Sequence, residues 1–208
     1  MIYGCQQTMA RSCGSVGLTV ALIELGLIDP PRINDYTIRT IAEGTVYPLV
    51  RRNVNDYSTP ARMAVYARGR GARTSIMESL PRTILTIVLS KGSVISDWWN
   101  YYYKELWTQG GVLGEWRYLI GLSRTDIDNG ERALVVAGIH PLDGGGLHYL
   151  LFRRHNNNYY VMDPAFGDND RVNNNDMDDF LSVRGAFRRF RAGRRRYIYM
   201  GIALWLNT

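Results

Sequence analysis

Cysteine is nearly absent: the 208 residues hold only Cys5 and Cys13, eight positions apart. A disulfide framework in a secreted domain uses more cysteines at wider spacing, so a reduced intracellular setting is the easier reading. There is no CxxC pair and no His/Cys cluster at zinc spacing, so neither a structural metal nor a cofactor is expected. Apolar runs long enough to span a bilayer are also missing. The first residues, MIYGCQQ, lack the basic and apolar regions of a secretory signal; if the protein leaves its cell, the signal is expected outside this chain. No repeat and no flexible linker is visible, and residues 1–208 are expected to form a single domain.

What the chain does have is apolar material for a core, 46% of residues, and a net charge of +6. The positive excess is unevenly placed. VRGAFRRFRAGRRRY at 183–197 carries seven arginines, and DNDRVNNNDMDD at 168–179 just before it carries five aspartates. Neighbouring blocks of opposite sign can partly neutralise each other. The arginine run with interleaved Phe could contact RNA or anionic lipid, but no nucleic-acid-binding motif accompanies it, and a basic element entering the last strand is the better reading.

The pattern predicts a helix over 13–25, with Ser12 as cap and Gly26 as stop, and a second over 60–69, capped by Thr59 with Pro60 in the first turn. Residues 77–96 read as a short helix after Pro81 and then a strand, and one further helix is expected around 98–107. ALVVAGI at 133–139, HYLLFR at 148–153, YYVMD at 159–163 and YIYMGIALWL at 197–206 have the composition of strands. The expected fold is α+β, with a helical N-terminal half packed on an antiparallel C-terminal sheet.

Cys13 falls at the start of the first helix, where unpaired N–H groups and the helix dipole stabilise a thiolate, although a small buried hydrophobe is the ordinary role of a free cysteine. A nucleophilic thiolate needs a base. His140 precedes Pro141 in a turn and His155 sits in a hairpin loop, whereas His148 opens an apolar strand behind Gly144–Gly146. If Asn156 and Asn157 form a two-residue turn, Asp163 lies opposite Leu150, on the face of His148 and diagonal to it. Asp163 could then orient the imidazole, or simply end the strand before Pro164. The Cys13 N–H and a side-chain amide from Gln6 or Gln7 could hold an oxyanion. The aromatic run Trp98–Tyr103 could line a peptide groove or pack in the core.

Gln7 followed by CGSVGL resembles the oxyanion-glutamine and nucleophile signature of papain-like cysteine peptidases. GGLHYLLFRRHNNNYYVMDPAFG at 145–167 resembles the His strand, hairpin and DP-x-G element of C39 peptidases, the bacteriocin-processing enzymes, and MDDFL at 177–181 resembles the helix after it. The resemblance implies a papain-like fold, with Cys13 as nucleophile, His148 as general base, Asp163 as orienting acid and Gln7 as oxyanion-hole amide. It implies a cysteine peptidase acting on a protein or peptide, cutting after Gly-Gly or other small residues. A domain of this kind resembles bacterial effector or toxin ends, cytoplasmic or delivered by a secretion system into a target cell, with a cognate immunity protein as partner. Two other functions fit the residues: a glutamine deamidase or transglutaminase-like acyltransferase on the same fold, and a non-catalytic arginine-rich binding module.

Overall fold

The computed structural model describes residues 1–78, 115–118, 124–127, 130–139, 141–181, 189–192 and 195–208. Helix α1 (Cys13–Glu24) follows Ser12 and is closed by Gly26 in a left-handed conformation, φ 72°. Ser12 stands at the cap position, but its hydroxyl turns away from the helix and shares its one proton between the Met9 carbonyl and Glu43. Helix α2 (Asp35–Ile41) is capped by Asn34 and runs into a π-helical turn over Ala42–Val46 and a short α3 (Tyr47–Val50). Helix α4 (Pro60–Gly69) has the expected Thr59 cap, whose hydroxyl accepts from the Arg62 N–H.

The described strands form one sheet. In chain order they are β1 (Arg73–Glu78), β2 (Glu115–Tyr118), β3 (Arg132–Ile139), β4 (Leu147–His155), β5 (Asn158–Met162), β6 (Asn169–Val172), β7 (Arg189–Ala192) and β8 (Arg195–Asn207). Across the sheet they run β2-β1-β8-β3-β4-β5-β6, with β7 on the first half of β8. Every pairing is antiparallel except β1 with β2. The last helix among the described residues, α5 (Asn174–Leu181), contains the MDDFL segment. The arrangement is α+β. Of the region expected as helix then strand, residues 77 and 78 end β1; the rest, like the helix expected around 98–107 and the run Trp98–Tyr103, lies outside the described residues.

Alternation along the strands splits the core in two. Leu134, Val136, Leu147, Tyr149 and Leu151 face helices α1–α4, while Ala133, Val135, Leu150 and Phe152 face Met177, Phe180 and Leu181 of α5. Helix α1 is buried along nearly its whole length, which explains its lack of a polar face. It approaches the sheet closely through glycine. A Cβ on Gly17 would stand 2.6 Å from Leu134 Cδ2, and one on Gly14 would stand 2.8 Å from Ser58 Cβ and 3.1 Å from Tyr149.

At the other end of α1 the contact is ionic. Buried Glu24 takes Arg153 at 2.9 Å and Arg132 at 2.5 Å, along with the Tyr3 backbone N–H at 2.8 Å. Arg153 also donates to the Tyr3 carbonyl and to Asn169. Burial pulls the Arg153 guanidinium down to about 10, with Glu24 opposing the fall, so it remains charged at neutral pH. Removing the carboxylate would leave two buried arginines facing each other. Glu24→Ala is therefore expected to lower stability by about 3–5 kcal/mol in chemical denaturation; a loss under ~1 kcal/mol would show that the cluster does not hold α1 to the sheet.

Candidate active site

The hairpin between β4 and β5 has the register expected from the sequence. Asn156 and Asn157 take φ values of 47° and 60°, the two left-handed residues of a type I′ turn, and His155 pairs with Asn158. Leu151 pairs with Met162, so Asp163, just past the last pair, follows opposite Leu150. His148 Nε2 and Asp163 Oδ1 are 2.6 Å apart, both side chains buried.

With Nε2 engaged by Asp163, the other ring nitrogen is left for the thiol. The Cys13 side chain lies beside the imidazole, close enough to couple to its charge. Cys13 opens α1, where its own N–H has no acceptor within the helix. Thiol, imidazole and carboxylate are thus brought together in one line from two segments far apart in sequence. His155 lies at the far end of the hairpin, away from this cluster, and His140 lies outside the described residues.

Asp163 is held from several sides. Its Oδ1 also accepts the Ala165 N–H at 2.8 Å, and its Oδ2 accepts the Tyr197 hydroxyl. Its carbonyl accepts the N–H groups of Phe166 and Gly167, which curls the chain into a turn after Pro164. Burial alone would raise the carboxyl, but the His148, Tyr197 and Ala165 hydrogen bonds hold it below the usual carboxylate range. For His148, burial works against the charged ring; the charges and hydrogen bonds of Cys13 and Asp163 outweigh it and push the imidazole up to about 9 from an ordinary 6.5. The electrostatics thus favour an imidazolium held beside an ionised carboxylate.

Tyr197 is a residue that sequence reasoning missed. It opens the buried part of β8, stacks on the His148 ring with centroids 5.6 Å apart and planes 14° apart, and closes the open side of Asp163. Its only sequence signal was a tyrosine at the start of an apolar strand, a pattern that ordinary core strands share. Tyr57 was missed as well. The Leu147 backbone bonds to its hydroxyl, whose proton is held on by burial and the nearby Cys13 charge, and Arg11 lies over its ring.

Gln7 is brought to the site by its backbone, whose N–H donates to the Pro164 carbonyl at 2.7 Å. Its side-chain amide donates to the Met9 carbonyl at 3.3 Å, which leaves a second amide hydrogen uncommitted. Gln6, the other amide considered, points away: it is exposed and donates to the Ala165 carbonyl at 3.1 Å. The segment fits because glycines meet where it crosses the turn. A Cβ on Gly4 would lie 2.1 Å from the Gly167 carbonyl oxygen.

The arginine run is only partly described. Arg196 binds Asp143 through its backbone N–H and two guanidinium nitrogens at 2.9–3.0 Å, and Arg195 lies over the Phe166 ring. The acid for Arg196 therefore comes from before β4 and not from the aspartate block, whose Asp178 instead pairs with Arg124. Among the described residues, no cluster of His, Cys, Asp or Glu could hold a metal ion, and no helix is long and apolar enough to cross a membrane.

The electrostatics make a titration prediction. The His148 ring should stay protonated through neutral pH and lose its proton as pH rises through about 9. Cys13→Ala removes the charge that contributes most to this rise, so the midpoint should fall. Ring-proton chemical shifts measured by NMR across pH 5–11 (roughly the range that brackets both values) test this; an unchanged midpoint in Cys13→Ala would contradict the coupling.

Compared with protein-family models, residues 5–193 match one described as Invasion plasmid antigen J, cysteine protease. The matched span contains Gln7, Cys13, His148 and Asp163 and ends before Tyr197. Searches of curated proteins and of solved structures found no match.

Proposed function

The chain belongs to the Invasion plasmid antigen J family of cysteine proteases, and from that premise we propose that Cys13, His148, Asp163 and Gln7 carry the reaction as a papain-like set. The family accounts for a protease acting on a protein substrate. The observation that carries the residue assignment is the buried contact line from the Cys13 thiol through His148 to Asp163.

The Cys13 thiolate attacks the scissile carbonyl carbon, forming a C–S bond and an oxyanion. The Cys13 N–H and the free amide hydrogen of Gln7 donate to that oxygen. His148, protonated in the resting pair, gives its proton to the departing amine as the C–N bond breaks, leaving a thioester. Neutral His148 then takes a proton from water, which attacks the thioester; the acid product leaves and the resting pair is restored. Asp163 fixes the ring orientation and stays ionised throughout. Tyr197 is a positioning residue that caps the second Asp163 oxygen and covers one face of the ring.

The motif resemblance adds a preference for cutting after Gly-Gly or other small residues. It also adds action as an effector or toxin delivered to a target cell, with an immunity protein that blocks the cleft. The family match supports the cysteine-protease part of that resemblance and carries no C39 relationship. Deamidation of a glutamine side chain would use the same four residues. A binding module based on the arginines is disfavoured by the engagement of Arg196 with Asp143.

Wild-type protein and the Cys13→Ala, Asp163→Ala and Gln7→Ala variants, each incubated with cell lysate, provide the test by mass-spectrometric profiling of new N-termini. New termini should appear with wild type and vanish with Cys13→Ala. Gln7→Ala should lower their rate of appearance by about 10²-fold. One-dalton gains at glutamines without new termini would replace proteolysis by deamidation, and cleavage that survives Cys13→Ala would overturn the assignment.

A further inference from the structure

Between the oxyanion amide and the nucleophile runs a loop of five residues, Thr8–Ser12, whose conformation the polypeptide does not favour on its own. Arg11 sits at φ 69°, in the left-handed region that costs a residue with a side chain roughly 1–2 kcal/mol. The loop makes few bonds to itself: Ser12 turns back to the Met9 carbonyl through its N–H at 3.4 Å and its hydroxyl at 2.9 Å. Most of the remaining anchorage comes from one side chain, Glu43, in the π-helical turn that follows α2.

Glu43 Oε1 accepts three hydrogen bonds from this loop: the Thr8 N–H at 2.7 Å, the Met9 N–H at 2.8 Å and the Ser12 hydroxyl at 2.8 Å. Oε2 accepts the Thr8 hydroxyl at 2.6 Å. A single carboxylate thus holds the residue after Gln7, Met9, whose carbonyl accepts from the Gln7 amide, and the residue before Cys13. Partial burial opposes its ionisation, but these donors together keep the carboxyl below its ordinary range, so it is charged at neutral pH. The π turn is apt for this: such turns insert one residue into a helix, and they recur where a side chain is aimed at a functional site.

We propose that Glu43 is a positioning residue for the protease reaction, setting the Gln7 amide at its distance from the Cys13 N–H so that both donors meet the oxyanion. The inference rests on the assignment of Gln7 and Cys13 given above. Glu43 spends its hydrogen bonds on Thr8, Met9 and Ser12 and not on the thiol or the imidazole, so it acts on the geometry of the hole and not on the charge of the nucleophile. That separation makes it testable. Alkylation of Cys13 by iodoacetamide needs the thiolate but no oxyanion hole, whereas peptide-bond cleavage needs both.

Full-length wild type, Glu43→Ala, Glu43→Gln and Cys13→Ala would be compared for Cys13 alkylation rate and for the rate of new N-termini in lysate, with thermal unfolding recorded for each. Glu43→Ala should cleave about 10²-fold more slowly while alkylating within about twofold of wild type, a change too small to reflect a lost thiolate. Glu43→Gln should recover most of the cleavage, because its amide oxygen can keep the three Oε1 bonds and its NH₂ can donate to the Thr8 hydroxyl. Unchanged cleavage in Glu43→Ala overturns the proposal. So does alkylation that falls in step with cleavage, which would mean general loss of structure, and so does a Gln variant as slow as the Ala one. Failure of the underlying assignment is read separately: Cys13→Ala would then give the same lysate profile as wild type, and both readings fall.

Discussion

The distance between helix α1 and strand β4 is the constraint on which the rest depends, because one carries the thiol and the other the imidazole. Two unlike devices set it. Near the nucleophile, Gly14 and Gly17 remove the side chains that would hold the helix away from Ser58, Tyr149 and Leu134. At the far end, Glu24 reaches into a pair of arginines on β3 and β4. Apolar packing alone would let a helix with no polar face roll or slide on its bed. A close approach at one end and a directional, buried ion cluster at the other leave one arrangement in which both are satisfied.

A second constraint ties the N-terminal segment to the turn after β5. Gln7 is fixed through its backbone to Pro164, one residue from Asp163, and Tyr3 is fixed to Glu24 and Arg153. The oxyanion side of the site is therefore positioned by the same turn that positions the carboxylate. Gly4 and Gly167 allow the two stretches to cross at a distance that no side chain would permit. A shift of the turn would move the acid and the amide together, which keeps their relation to each other.

The sequence carried those parts of the fold and site that depend on local rules. The cap–Pro–helix pattern at Thr59–Pro60, the glycine stop at Gly26 and the Asn156–Asn157 turn all follow from backbone preferences of single residues. Because side chains alternate with period two, the hairpin then brought His148 and Asp163 together by counting alone. What was not legible depends on contacts across the fold. Helix α2, the π turn with Glu43, strands β1 and β6, and the parallel pairing of β1 with β2 have no strong local signature. Tyr197 reaches the site only because β8 runs beside β3, a fact of topology that no window of sequence contains. The partner of Arg196 was not legible for the same reason: the sheet brings Asp143 to it from before β4.

These two kinds of information meet in the burial of the site. A carboxylate and an imidazolium with almost no exposure are costly unless each oxygen and ring nitrogen has a partner already in place. For Asp163 the donors come from β4, from its own turn and from β8; for His148 the partners come from β5's end and from the start of α1. No subset of these segments satisfies the group, so a partly folded chain cannot stabilise the charged pair. The low dielectric that makes the pair demanding is also what makes it reactive, since the same enclosure strengthens every donor aimed at a developing oxyanion. Folding and assembly of the charged pair are, for this protein, the same event.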